Sequence, residues 1–170
     1  MRWFWIDRFE EFVSGQSAVA IKNFSLGEET FHGYFPGHPV MPGSLILEGI
    51  AQTGGMLVAE LSEYRERLVL AKVSKFKYHF APCPGDVLVY SVKLDVVRSG
   101  GALILGQCHV DDRLQAEAEF YLAVLPPRHE IEQLFEPVSF MRLLRLLRVY
   151  EVGTKPDGSP LYVPEHLLNA

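Results

Sequence analysis

Glu48 is the residue whose setting in the sequence most directly suggests chemistry. It is the one acid in an apolar segment, LILEGIAQ, that follows a loop rich in glycine and proline. A segment that is apolar on nearly every face predicts a buried helix, and a carboxylate is rarely fully buried without a partner. A carboxyl group in such surroundings suits proton transfer, so Glu48 is a candidate general acid or base.

Other polar groups lie near Glu48 in the sequence. Gln52 follows one helical turn later, where its amide can hydrogen-bond the Glu48 carboxylate. The preceding loop, residues 31–43, carries the imidazole of His32 and the phenol of Tyr34. Tyrosine titrates near pH 10, against about 6.5 for histidine, so a tyrosine at neutral pH is a hydrogen-bond donor and a weak base.

A helix near the front of the chain and strands behind it must position these groups. We place the helix at residues 43–60, opened by Pro42-Gly43-Ser44, which are favourable residue types there. Strand-like composition and alternation predict strands at 17–24, 68–78, 87–97, 102–110 and 114–125. Short turns between the later strands predict an antiparallel meander. The predicted class is α+β, with a curved antiparallel sheet wrapped around one long helix.

Three glycines interrupt the predicted helix, Gly49, Gly54 and Gly55. Each costs the helix about 1 kcal/mol relative to alanine. Their retention predicts that neighbouring groups pack closely against this helix.

Composition limits the function classes. The chain has 170 residues, 48% hydrophobic and 22% charged, which suits one globular domain with a real core. Its net charge of −5 argues against a nucleic-acid partner. Cys83 and Cys108 have neither metal-ligand nor disulfide spacing, which predicts reduced thiols in a cytoplasmic protein and no metal site. We expect no signal peptide, since acids lie within the first dozen residues, and no membrane span, since no apolar run reaches about 18 residues without charges.

Residues 126–170 are predicted to form an extension to a domain at 1–125. An amphipathic helix is expected at 139–149, with Phe140, Leu143, Leu144 and Leu147 on one face and Arg142, Arg145 and Arg148 on the other. Two interpretations of the arginines remain. They are a solvated face on a docked helix, or they bind an acidic carrier protein.

The segment around Glu48 resembles the signature of the β-hydroxyacyl-(acyl-carrier-protein) dehydratases of fatty acid synthesis. That signature has a glycine, a histidine, Phe-Pro-Gly, further prolines and a glycine, an aliphatic run, an acid and an Ala-Gln pair. The matching residues are Gly33, Phe35, Pro36, Gly37, Pro39, Pro42, Gly43, Leu45, Ile46, Leu47, Glu48, Ala51 and Gln52. Tyr34 stands where the family has its histidine. The resemblance covers roughly residues 4–124 and implies the hotdog fold.

The resemblance implies a dehydratase, or a hydratase in reverse, that acts on 3-hydroxyacyl thioesters of acyl-carrier protein or coenzyme A without a cofactor. Glu48 would protonate the leaving hydroxyl group, and the backbone N–H of Gly43 would polarise the thioester carbonyl. The base would come from the other subunit of a homodimer, or of a trimer of dimers. The residues expected to line the substrate site are His32, Phe35, Pro36, Gly37, Pro42 and Gln52.

Tyr34 leaves three functional alternatives open. Losing a general base typically lowers a rate by about 10²–10⁴. Either Tyr34, His32 or His38 does the work of the base, or the chain binds acyl groups or their carrier without turnover. The third alternative is a hotdog thioesterase in which Glu48 activates water. We favour the dehydratase, because the loop, the glycine donor, the acid and the helix are otherwise intact.

Overall fold

The computed structural model describes residues 4–28, 37–126 and 137–168. The helices are α1 (Gly43–Leu61), α2 (Pro137–Leu146), α3 (Val149–Val152) and α4 (Glu165–Leu168). The strands are β1 (Arg8–Val13), β2 (Ser17–Asn23), β3 (Arg67–Tyr78), β4 (Val87–Arg98), β5 (Gly101–Val110), β6 (Arg113–Leu125) and β7 (Gly153–Thr154). Among these residues the strands form one sheet in the order β3-β6-β5-β4-β2-β1-β7. Neighbours are antiparallel, apart from the parallel pair of β1 and β7.

The sheet curves around one side of α1. Inward-facing residues alternate along the central strands, as Tyr90, Val92 and Leu94 do on β4, and they bury the apolar side of the helix. The expected burial of α1 on every face is wrong for the described residues. Leu45 and Leu47 are only half-buried, because the sheet of a single chain covers the helix from one side.

The close packing predicted from the helix glycines is confirmed at two positions. A Cβ atom at Gly49 would lie 2.3 Å from the ring of Tyr90, and one at Gly54 would lie 2.7 Å from Ile104. Gly55 is different, because a Cβ there meets no described atom within 4 Å. The prediction is therefore wrong for Gly55.

The strand predictions are confirmed to within a residue or two, but the predicted meander holds only for β4, β5 and β6. β3 pairs with β6 and not with β4. The connection 79–86 is too long for a tight hairpin, and it carries the chain past β5 and β6. β3 therefore becomes an edge strand.

The C-terminal extension packs onto the opposite edge of the sheet. The described part of it places Phe140, Met141, Leu144 and Leu147 in the same core cluster as the sheet and α1. Its β7 pairs with Phe12 and Val13 of β1. Helix α2 ends at Leu146, earlier than predicted, and Arg148 adopts a left-handed conformation with φ 62° that separates α2 from α3.

Candidate functional site

The N-terminus of α1 presents the backbone N–H of Gly43, which has no hydrogen-bond partner among the described residues. Pro42 precedes the helix in an extended conformation, and its carbonyl accepts hydrogen bonds from Leu45 (3.0 Å) and Ile46 (3.3 Å). The N–H and C=O of a trans peptide point in opposite directions, so the N–H of Gly43 points out of the helix end. No side chain among the described residues caps this end, and the helix dipole makes it electropositive.

Close contacts explain why residue 43 is a glycine. A Cβ atom there would lie 3.2 Å from the ring of Phe76 and 3.3 Å from that of Tyr78. Both rings come from the end of β3, and they close one side of the helix N-terminus. The arrangement brings β3 to the start of α1 and leaves the Gly43 N–H on the uncapped end.

Glu48 lies about 1.4 turns further along α1, about 7.5 Å along the helix axis from Gly43. Its side chain is half-buried. The predicted bond from Gln52 is confirmed, because the Gln52 amide Nε2 donates to Glu48 Oε1 at 2.8 Å. The other oxygen, Oε2, has no hydrogen-bond partner among the described residues.

The backbone of Trp5 sets the direction of that hydrogen bond. Its N–H donates to Gln52 Oε1 at 2.7 Å. A backbone N–H can only donate, so the Gln52 oxygen must face Trp5 and the amide NH₂ must face Glu48. Sequence reasoning missed Trp5, because residues so far apart in the chain give no periodic signal.

The remaining predicted residues divide into two groups. Pro42 is the N-cap of α1, and Gly37 is exposed with a φ of 79°, a conformation that favours glycine. His32, Tyr34, Phe35 and Pro36 lie outside the described residues. His38, the other candidate base, is exposed on the loop that precedes α1.

Two other sequence features lie away from this site. Burial raises the pKa of the Cys108 thiol to about 12, so it stays protonated as a small core residue. Arg148 makes two hydrogen bonds to Glu151, at 2.9 and 2.6 Å, which raise the pKa of Arg148 and lower that of Glu151. The predicted arginine stripe is thereby reduced to the exposed Arg142 and Arg145.

Neither a metal centre nor a spanning helix emerges from the parts of the chain that the structure describes. No group of three or more His, Cys, Asp or Glu side chains there is placed to hold a metal ion. None of the helices in those parts combines the length and apolarity needed to cross a bilayer.

Comparison with known proteins identifies the family. The FabA-like domain model matches residues 3–119. The chain belongs to the FabA-like family. A 3-hydroxyacyl-(acyl-carrier-protein) dehydratase FabZ from Koribacter versatilis (strain Ellin345) is 40% identical over 123 residues, which cover 71% of this chain and 79% of that protein. The C-terminal extension of this FabA-like protein, residues 126–170, follows the range that the family model matches.

Solved structures extend the comparison to the fold of this FabA-like chain. The dehydratase heterocomplex ApeI:P from Xenorhabdus doucetiae matches with a TM-score of 0.54 and 17% identity, over 65% of this chain and 89% of that one. A hypothetical thioesterase with coenzyme A from Streptococcus pneumoniae TIGR4 matches with a TM-score of 0.57 and 16% identity, over 71% and 87%. These similarities are to proteins of different named activities, so they establish the predicted hotdog fold and not the reaction.

Proposed function

We propose that this protein dehydrates 3-hydroxyacyl thioesters in fatty acid or related lipid synthesis. The observation that carries the proposal is the Glu48 carboxyl group, held by Gln52 at 2.8 Å on the same helix as the uncapped Gly43 N–H. Membership of the FabA-like family and the 40% identity to a protein named FabZ support it. The acyl group is carried by acyl-carrier protein or coenzyme A, and the chemistry needs no cofactor.

The reaction requires two proton transfers and one charge to be stabilised. A base removes a proton from C2, beside the thioester carbonyl, and the developing enolate oxygen accepts a hydrogen bond from Gly43 N–H. Electrons from the broken C–H bond form the C2–C3 double bond. Glu48 protonates the 3-hydroxyl group as its C–O bond breaks, so that water leaves.

The hydrogen bonds around Glu48 fit the role of the acid. The Gln52 amide occupies Oε1 as a donor, so the proton of the acid form belongs on Oε2. That oxygen has no protein partner among the described residues and is available to the substrate hydroxyl. Gln52 thus acts as a positioning residue that selects which carboxyl oxygen carries the proton.

We assign the role of the base to Tyr34, the residue at the family's histidine position. At neutral pH a tyrosine is almost entirely protonated, because its ordinary pKa lies near 10. We therefore expect slow formation of the enoyl product by the wild-type protein at pH 7. Replacing Tyr34 by histidine is expected to raise that rate about 10–10²-fold, because histidine titrates near neutrality.

The measurement follows the ultraviolet absorbance of the enoyl thioester at pH 7, with the wild type and Tyr34→His tested side by side. The Tyr34→His protein should form the enoyl product about 10–10²-fold faster than the wild type, and equal rates would contradict the role of residue 34 as the base. His38→Gln is the control, which tests whether the imidazole of His38 acts as the base instead. If either protein binds the substrate without turnover, the result favours the alternative of an acyl-binding protein. That alternative is suggested by the presence of Tyr34 at the position of the family's histidine.

We further propose that the working unit is a homodimer formed through β3. This strand is an open edge of the described sheet and exposes apolar side chains. Val69, Leu70 and Val73 have exposures of 39%, 41% and 38%. A long edge strand with exposed apolar residues pairs readily with another strand, whereas β7 covers the edge at β1.

Replacing Val69 by glutamate is expected to shift the protein from dimer to monomer at micromolar concentration, because the new charge would be buried between two copies. Sedimentation velocity measures the change. Val97→Glu is the matched control, since Val97 is 53% exposed on β4 and lies away from the β3 edge. A dimer that tolerates Val69→Glu as well as Val97→Glu would contradict assembly through β3. A trimer of dimers would appear in the same experiment as a hexamer.

We also propose that the protein resides in the cytoplasm. Cys83 is exposed and Cys108 is buried, and both are free thiols in the described structure. Free thiols are the usual state of cysteine in a reducing compartment.

A further inference from the structure

Met41, two residues before the helix donor, is held at both of its backbone polar groups. Its N–H donates to the carbonyl of Pro82 at 3.2 Å. Its own carbonyl accepts a hydrogen bond from the hydroxyl of Tyr78 at 2.9 Å. Met41 is fully buried, so its backbone orientation depends on these protein contacts.

The groups that hold Met41 are themselves anchored. Tyr78 pairs with Ala116 of β6. Just beyond, the fully buried Gln115 donates its amide to the Phe80 carbonyl at 2.6 Å. The backbone carbonyl of Gln115 accepts a hydrogen bond from the His79 N–H at 2.9 Å. Tyr78 therefore projects from a fixed part of the sheet.

The link from Met41 to Gly43 has few degrees of freedom. The peptide plane that contains the Met41 carbonyl joins the plane that contains the Gly43 N–H at the Cα atom of Pro42. The proline ring fixes one of the two dihedrals at that atom, with φ −63°. The hydrogen bonds from Leu45 and Ile46 to the Pro42 carbonyl hold the other dihedral, with ψ 146°. The Met41 carbonyl and the Gly43 N–H therefore keep one orientation relative to each other, so a rotation of the Met41 carbonyl also turns the Gly43 N–H.

We propose that Tyr78 is a positioning residue, whose hydroxyl group fixes the direction of the Gly43 N–H towards the thioester carbonyl. This inference rests on the proposed function for its catalytic consequence. The Tyr78 ring also packs against Gly43, so one side chain sets both the position and the orientation of the donor. Without the hydroxyl, the Met41 carbonyl loses its partner and the donor direction is less restricted.

The test is Tyr78→Phe, which keeps the ring against Gly43 and removes the hydroxyl. We expect kcat for dehydration to fall about fivefold with little change in KM, because the lost contact acts mainly in the transition state. We also expect backbone hydrogen exchange in residues 40–46 to become about fivefold faster, while exchange elsewhere in α1 is unchanged. Tyr162→Phe is the control, since that side chain is 74% exposed in the C-terminal extension.

Hydrogen exchange separates this inference from the proposed function. If the wild type does not dehydrate the substrate, the proposed function fails, and faster exchange confined to 40–46 still supports the anchoring by Tyr78. If hydrogen exchange of residues 40–46 in Tyr78→Phe equals that in the wild type, the anchoring by Tyr78 is overturned, whether or not the wild type is active. In an active enzyme, an unchanged kcat, or a rise in KM alone, overturns the positioning role.

Discussion

Replacing Glu48 by glutamine is expected to lower kcat for dehydration by about 10²–10⁴-fold, the usual contribution of a positioned proton donor. Glutamine has nearly the same shape, and its oxygen can still accept the hydrogen bond of Gln52. What it lacks is an acidic proton for the departing hydroxyl group. The measurement is the initial rate of enoyl formation at saturating 3-hydroxyacyl thioester.

Glu60→Gln is the matched control, because Glu60 lies near the other end of the same helix. Its carboxylate accepts a hydrogen bond from the Ser14 hydroxyl, which an amide oxygen can replace. We expect wild-type kcat from this variant. Substrate affinity in Glu48→Gln should stay within about an order of magnitude of the wild type, since the acid contributes mainly to the transition state. Turnover by Glu48→Gln at the wild-type rate would rule out Glu48 as the acid.

Local signals in the sequence predict the pair at the centre of the site. The spacing of four residues between Glu48 and Gln52 is a property of any helix, and the structure confirms the hydrogen bond. The direction of that bond depends on Trp5, and the direction of the Gly43 donor depends on Tyr78. These two contacts join distant parts of the chain through single polar atoms, which leave no trace in hydrophobic periodicity.

The order of the strands shows the same limit. Alternation along 87–97 and 114–125 predicts β4 and β6 because a half-buried strand must alternate. The pairing of β3 with β6 follows from how the sheet closes over α1, which no local pattern contains. In the extension, the apolar spacing predicts α2, whereas the two residues of β7 are too short for any periodicity.

Gly49→Ala is expected to destabilise the protein by about 3 kcal/mol, the upper part of the usual range for overpacking in a core. An added Cβ would lie 2.3 Å from the Tyr90 ring, which is itself fully buried and cannot move aside. The gain of about 1 kcal/mol in helix propensity does not offset that contact. Urea unfolding at one fixed protein concentration measures the change in the free energy of unfolding.

Gly55→Ala is the matched control, in the same helix but with no described atom within 4 Å of its added Cβ. Helix propensity acts alone there, so we expect a stabilisation of about 0.5–1 kcal/mol. Tyr90→Leu in the Gly49→Ala background should recover about 1–2 kcal/mol relative to the sum of the single changes, since the smaller side chain leaves room for the methyl group. Effects of the same sign at Gly49 and Gly55 would mean that α1 does not rest on Tyr90. In that case the contact with Tyr90 would not set the distance between the sheet and the helix that carries Glu48.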